Sequence, residues 1–430
     1  MQRALEIYLG DHRVGTITNL SSDHNVFVFD PAYAADSKRP ILSLGFLNAK
    51  GELAAARRPP QVRLPPFFAN LLPEGHLREY LAARAHVNPV RDFPLLWLLG
   101  EDLPGAVVAR HADGITAPPR ERDATVPQAI EDDPSVLKFS LAGVQLKFSA
   151  IREAAGGLTI PAHGKNGQWI VKMPSATYGL VPENEFTMLR FARRVGIEVP
   201  EIGLVAAADV VNLPPEVRRD LGQALYIKRF DRDGSARIHA EDFAQIYALY
   251  PAEKYEKVSY ANMLGGIWRA MGEKEATEFI RRLVFSIGIG NADMHLKNWS
   301  VIYPDGMTPR LAPAYDYVST IVYIKDDRLA LTIARTKEWE RVSEDLFERF
   351  ARRAGVPRGV VLRTARAMVE RMRSEWPHLN DLQLLPGSFM DAIGRHIARI
   401  PLFASRAVPG PPAPPAALAP ETGLPPEEIA

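Results

Sequence analysis

The chain has 430 residues, with 52 Lys+Arg against 51 Asp+Glu, and so carries a formal net charge of +1. That balance gives no global field for nucleic acid or an acidic membrane surface, although a local basic patch stays open. Cysteine is absent, which excludes a disulfide scaffold, a Cys-ligated zinc or iron–sulfur site and a thiol nucleophile.

At 47% hydrophobic and 24% charged, the composition predicts a globular protein of two or three domains. No stretch approaches the ~20 apolar residues of a membrane helix, and MQRALEIYLG lacks a signal-peptide core, so a cytoplasmic protein is expected. Leu5, Ile7 and Leu9 alternate with polar positions, Gly10-Asp11-His12 is turn chemistry, and Val14–Ile17 runs back as a second strand. VFVFD (26–30) and ILSLGFL (41–47) predict further strands. PEGHLREYLAAR (73–84) predicts a helix with Pro73 and Glu74 in its first turn. Residues 1–115 are thus expected to form a small mixed α/β domain, and the polar stretch 116–134 a linker.

A β-rich unit is expected over 135–235, from VLKFSL, LKFSAI, GLTI, WIVKM, IGLVAAA and QALYIKRFD. It is interrupted by the helix ENEFTMLRFARRVG, whose Met188, Phe191, Ala192 and Val195 fall at i, i+3, i+4 and i+7 before the stop at Gly196. Residues 236–405 read as helical: HAEDFAQIYALY, ANMLGGIWRAMG, EATEFIRRLVFSIGIG, EDLFERFARRAG and TARAMVERMRSEW. The tail 406–430 holds eight prolines and no aromatic residue, too little to bury, and is expected to be disordered.

The stretch GNADMHLKNWS places Asp293 and Asn298 five apart. In a kinase catalytic loop one such Asp accepts the substrate hydroxyl's proton and the Asn holds magnesium. WSVIY and RLAPAYD predict a hairpin with Asp316 at its end, where kinases place a second metal-binding carboxylate. Magnesium keeps several waters, so one Asn oxygen and one Asp suffice beside ATP phosphates. The Asp-to-Asn spacing alone is common by chance; its weight comes from upstream. Lys172 is a single Lys in the apolar strand WIVKMP, either facing water at a sheet edge or reaching phosphates as a kinase strand Lys does. Glu185 lies on the buried face of the next helix and wants a partner, with Glu183 as competitor. No G-x-G-x-x-G or Walker motif is present. SLAGVQLKF (140–148) joins two strands through Ala142-Gly143, offering Ser140, Gln145 and Lys147; by itself it reads as an ordinary hairpin.

Together these residues resemble the HipA family of kinase toxins from type II toxin–antitoxin systems. SLAGVQLKFSA is similar to its phosphate loop, NEFTMLRFARRVGIEVP to its helix, IKRFDR to its hinge and HAEDFAQ to the segment after it. GNADMHLKNWS is similar to its catalytic loop, LAPAYDYVST to its second carboxylate motif, and FFANLLPEG to a motif of its first domain. The likeness spans residues 1 to about 400 in order. It implies an α+β, two-lobed kinase-like fold with an additional N-terminal domain, and ATP-dependent phosphorylation of a protein serine with Mg2+. The implied target is an aminoacyl-tRNA synthetase, whose modification halts translation. Asp293 is then the implied base, Asn298 and Asp316 the metal ligands, and Lys172, paired with Glu185, the ATP-binding Lys. Gly143, Gln145 and Lys147 belong to the implied phosphate loop, and Lys228 to Phe230 to a hinge holding adenine mainly through backbone groups. Ser140 matches an autophosphorylated serine whose added charge would repel nucleotide. The implied partner is a helix-turn-helix antitoxin (HipB-like), through which operator DNA is met. Leu146 and Lys228 depart from the family, standing where acids are common.

Other residues carry less. His295 either orients Asp293, meets phosphate or makes a structural hydrogen bond; His239, Asp242 and Gln245 read as capping and core residues; Asp231 pairs with Arg229 or Arg232. Arg281-Arg282 and Arg352-Arg353 read as solvated helix faces, and Trp97, Trp169, Trp268 and Trp299 as core. Two rival functions stay open: a lipid or small-molecule kinase, since D-x-H-x-x-N also suits phosphoinositide kinases, and a catalytically idle corepressor acting with its antitoxin.

Overall fold

The computed structural model describes residues 3–404 apart from 21, 49, 55, 57–58, 113–146, 153–157, 161–166, 176, 214–221, 325–326 and 383. The strand VLKFSL, the linker 116–134, the tail 406–430, and Ser140, Gly143 and Gln145 lie outside the described residues.

Strands β1 (Arg3–Leu9), β2 (His12–Asn19) and β3 (Asn25–Phe29) form the predicted antiparallel meander. Gly10, at φ 59, supplies the left-handed step that lets Leu9 pair with His12 across a two-residue turn. Four helices follow: α1 (Pro31–Ala35), α2 (Pro66–Ala69), α3 (Gly75–Arg84) and α4 (Asp92–Leu99). Strand β4 (Val107–His111) then closes the sheet on the free edge of β1. ILSLGFL is not a strand. Ser43 caps a 3-10 turn at Leu44–Phe46 by accepting from the Gly45 N–H, a local bond that competes with any ladder. Pro73 and Glu74 precede α3, which starts at Gly75.

Strands β5 (Lys147–Arg152), β6 (Leu158–Thr159) and β7 (Trp169–Lys172) precede α5 (Val181–Arg194); β8 (Ile202–Ala206), β9 (Val210–Val211) and β10 (Gln223–Lys228) follow it. They form one sheet in the order β8-β10-β7-β5-β6-β9. Alternation gives this sheet two buried faces. Leu225 and Ile227 share a core with Met188 and Phe191 of α5, whereas Phe148, Val171 and Ala224 join the core of the first sheet with Leu5, Ile7 and Phe68.

After a short hairpin of β11 (Arg232–Asp233) and β12 (Ala236–Arg237), HAEDFAQ departs from the helical expectation. Its first four residues are β13 (His239–Asp242), and only Phe243–Ile246 are helical, as α6. The strand exists because a partner arrives 60 residues later: β14 (Ser300–Tyr303) pairs His239 with Tyr303 and Asp242 with Ser300. Asp242 ends the strand and caps α6 in a reciprocal capping box with Gln245. Helix α7 (Tyr260–Gly288) is interrupted at Gly272 (φ 84), between its two predicted segments. Beyond β14, β15 (Arg310–Leu311) completes the expected hairpin. The helical lobe ends with α8 (Glu344–Ala354), α9 (Arg358–Glu375), α10 (Gly387–Arg399) and α11 (Pro401–Ala404).

Arg281 and Arg282 are not a solvated face. Arg282 is buried and donates to Glu278 and to the Ala312 carbonyl, while Arg281 donates to the Val195 and Gly196 carbonyls left open where α5 ends. Arg352 and Arg353 are exposed, and Trp97, Trp169 and Trp299 are buried, as expected; Trp268 is half-buried against the core.

Candidate functional site

Between the sheet and the helical lobe lies a cleft of about 820 Å³, to which the first domain also contributes. Trp169 and Val171 of β7 turn to the core, so Ile170 and Lys172 line the cleft. Lys172 Nζ donates to Glu185 Oε1 at 2.6 Å and to Asp316 Oδ1. Glu185, rather than Glu183, is therefore the partner, and α5 buries it fully on the same face as Met188 and Leu189. Burial opposes the charge on Lys172, but Asp316 and Glu185 outweigh it and hold the ammonium above its ordinary pKa. Burial likewise pushes the Asp316 carboxyl up, yet the Lys172 and Lys147 charges reverse this and hold it at about 2.

Lys147 sits directly opposite Lys172 in the β5–β7 register. Burial lowers the Lys147 pKa and repulsion from the facing Lys172 ammonium adds to this, against the opposing pull of Asp316. Such a pair suits a polyanion between or above them.

Helix α7 gives way at Gly290 (φ 66), where a Cβ would stand 2.4 Å from Ile321. The loop that follows is held by its own side chains: Asn291 Oδ1 accepts from the Asp293 N–H at 3.0 Å, and Asn298 Nδ2 donates to the Asp293 carbonyl at 2.7 Å. Asn298 thus has its amide oxygen left over as a ligand atom, and the residue lines the cleft as Asp316 does. An amide oxygen and a carboxylate suit a hard cation that brings waters and phosphate oxygens of its own. Among the described residues no group of three or more His, Cys, Asp or Glu could hold a metal. Asp316 adopts φ 55, a left-handed conformation that Asp tolerates, and Asn291 Nδ2 donates to its carbonyl at 3.2 Å.

The Asp293 Oδ1 accepts from the Tyr255 hydroxyl, and His295 Nε2 lies 3.8 Å from the same oxygen. Burial pushes His295 well down, to about 3, so its ring is neutral near pH 7. At the hinge, the N–H groups of Lys228 and Arg229 donate to the Glu201 and Gln168 carbonyls, both at 2.8 Å. These two N–H groups are therefore committed within the protein. The Phe230 ring lines the cleft, 5.6 Å from that of Tyr315. Asp231 accepts from Arg229 at 2.8 Å, Arg232 at 2.9 Å and the Gly105 N–H at 2.8 Å, tying the hinge to the first domain. His239 Nε2 lies 2.8 Å from the Leu42 carbonyl, a structural contact.

Several lining residues carry no site role in the sequence reading: Asn70, Glu74, Lys254, Tyr255, Lys297 and Tyr315. Asn70, Glu74, Lys297 and Tyr315 have a signal, being inside the motifs that carry the resemblance; Lys254 and Tyr255 sit in a turn with none.

Residues 5–110 match the model of the HipA N-terminal domain, and residues 139–376 that of the HipA-like C-terminal domain. A Sinorhizobium fredii protein named "Putative kinase Y4dM" is 48% identical over 93% of this chain and 97% of its own length. The serine/threonine-protein kinase toxin HipA of Shewanella oneidensis is 25% identical over 86% of this chain and 87% of its own. The fold is that of HipA in a Shewanella oneidensis HipA–HipB–operator DNA complex. That likeness has a TM-score of 0.68 and 21% identity, and covers 93% of this chain and 96% of that one.

Proposed function

The chain belongs to the HipA family, and on that premise we propose that it is a toxin kinase transferring the ATP γ-phosphoryl group to a protein serine. The observation that carries the reading is the convergence of four elements on one cleft: Lys172 of β7, Glu185 of α5, the Asp293–Asn298 loop and Asp316. Lys172 and Lys147 would hold the phosphates, and Phe230 with Tyr315 would flank the base. Asn298 and Asp316 would hold Mg2+, which neutralises phosphate charge when bound. Asp293 would take the serine hydroxyl's proton as its oxygen attacks the γ-phosphorus and ADP leaves. Catalysis here is mostly positioning, which suits a loop locked by its own side chains.

The finer readings rest on sequence motif and on relatives. A Shewanella relative is named a serine/threonine-protein kinase toxin, and the similar structure contains HipB and operator DNA. We assign this chain a HipB-like helix-turn-helix antitoxin, DNA contact through that partner, an aminoacyl-tRNA synthetase as target, a cytoplasmic setting, and self-phosphorylation at Ser140. No helix among the described residues is long and apolar enough to cross a membrane.

The test is intact mass after incubation of dephosphorylated protein with Mg-ATP, beside Asp293→Ala, with peptide mapping. One phosphate on Ser140 in the wild type and none in the variant is expected. Equal incorporation in both would remove Asp293 from its role, and transfer to a lipid panel but to no protein would overturn the protein-kinase reading.

A further inference from the structure

We propose that Glu74, in the first domain's FFANLLPEG stretch, is a positioning residue of the phosphoryl-transfer site, bracketing Asp293 from two sides through two lysines. The inference rests on the kinase reading above. Glu74 stands at the N-cap of α3, where a polar side chain ordinarily accepts from the first N–H groups of its helix, yet it makes no such bond. Its carboxylate is turned into the cleft instead. Oε2 accepts from Lys254 Nζ at 3.0 Å, and Oε1 lies 3.4 Å from Lys297 Nζ. Lys297 is further fixed by the Asn70 carbonyl, Asn70 Oδ1 and Asp242 Oδ2, each at 3.0 Å. The three side chains at the centre of this knot are largely buried, at 14%, 12% and 7% exposure for Glu74, Lys254 and Lys297. An ion cluster so enclosed has a defined geometry, unlike a surface pair.

Each lysine is followed in the chain by a residue that grips Asp293. After Lys254 comes Tyr255, whose hydroxyl donates to Asp293 Oδ1. After Lys297 comes Asn298, whose Nδ2 donates to the Asp293 carbonyl at 2.7 Å. One carboxylate from the first domain thus sets the backbone on both sides of the base. Against the cost of burial, the Lys297 and Lys254 charges keep Glu74 ionised. Without that charge the lysines have fewer anions to hold them and gain freedom to meet ATP phosphates. Nucleotide binding is therefore not weakened while the base loses its alignment.

Glu74→Gln keeps the shape and removes the charge. The rate of self-phosphorylation with Mg-ATP is expected to fall roughly 10- to 100-fold, the scale of an ångström-sized misplacement. The ATP concentration giving half-saturation should stay level or drop. Hydrogen exchange should quicken in peptides covering 252–257 and 291–298 and stay unchanged across β1 to β4. Lys254→Met should reproduce the Tyr255 half of the effect. Wild-type rates and exchange in Glu74→Gln would overturn the proposal, as would a loss accompanied by a raised half-saturation and faster exchange throughout. If the wild type itself transfers no phosphate, the kinase reading fails, and local exchange alone still decides whether Glu74 holds the loop.

Discussion

Replacing Asp231 by Asn should destabilise the protein by about 3 kcal/mol at neutral pH, and the size follows from its surroundings. The carboxylate is 7% exposed and accepts four hydrogen bonds: two from Arg229, one from Arg232 and one from the Gly105 N–H, all at 2.8–2.9 Å. Burial pushes its carboxyl up, but Arg229 and then Arg232 hold it at about 2 against an ordinary 3.8. At about 1.4 kcal/mol per pKa unit, that difference is worth roughly 2–3 kcal/mol. Removing one member of a buried ion cluster costs about 3–5 kcal/mol by comparison, because its partners stay charged and unmatched. An Asn also turns an N–H group toward guanidinium donors. Since the folded carboxyl titrates below its unfolded value, this stability is complete above about pH 4 and is lost as pH falls toward 2. Urea unfolding followed by tryptophan fluorescence, at pH 7 and across the acid range, reads both effects. A loss under about 1 kcal/mol, or an unchanged acid limb in the variant, would refute the reasoning.

Glu185→Gln leaves Lys172 with Asp316 as its anionic partner among the described residues, so the ammonium shifts within the cleft; ATP half-saturation should rise about tenfold in a nucleotide titration. Burial pushes the Glu241 carboxyl up to about 7, beneath the Leu44 N–H and Tyr303 hydroxyl that it accepts. A raised carboxyl favours the folded state most below its unfolded pKa of about 4.5, and that advantage is lost as pH rises through 7. Thermal stability of the wild type should therefore fall between pH 5 and pH 8 relative to Glu241→Gln; parallel curves would dismiss the shift.

Much of the fold is legible because it is local. The first hairpin follows from alternation and Gly10, α5 from its apolar spacing, and the Lys172–Glu185 pair from an acid stranded on an apolar face. What escapes the sequence is set by distant partners. His239–Asp242 are all buried, so they show no alternation, and three of the four are polar residues that bond to Leu42, Leu44 and Lys297. ILSLGFL is apolar enough for a strand, but its Ser43 hydroxyl and the close approach of Gly45 to the Ile246 carbonyl turn it into a docking turn. Arg282 looks like a surface cation until Ala312 arrives beside it. Within the site, Asp293 and Asn298 can be picked out by spacing, whereas Tyr255 reaches Asp293 from 38 residues upstream and leaves no pattern to read.

The core that runs unbroken from the first sheet into the back of the β5–β10 sheet has a mechanical consequence. A see-saw of the sheet against the helical lobe, pivoting near residues 228–231, would have to shear three joints at once. These are that apolar seam, the Asp231–Gly105 strut beside the pivot, and the Lys254–Glu74 tether at the loop. The first domain is bonded to both jaws, so it works as a splint. Its removal should loosen the jaws' relative motion even though, among the described residues, it contributes no strand to either of them.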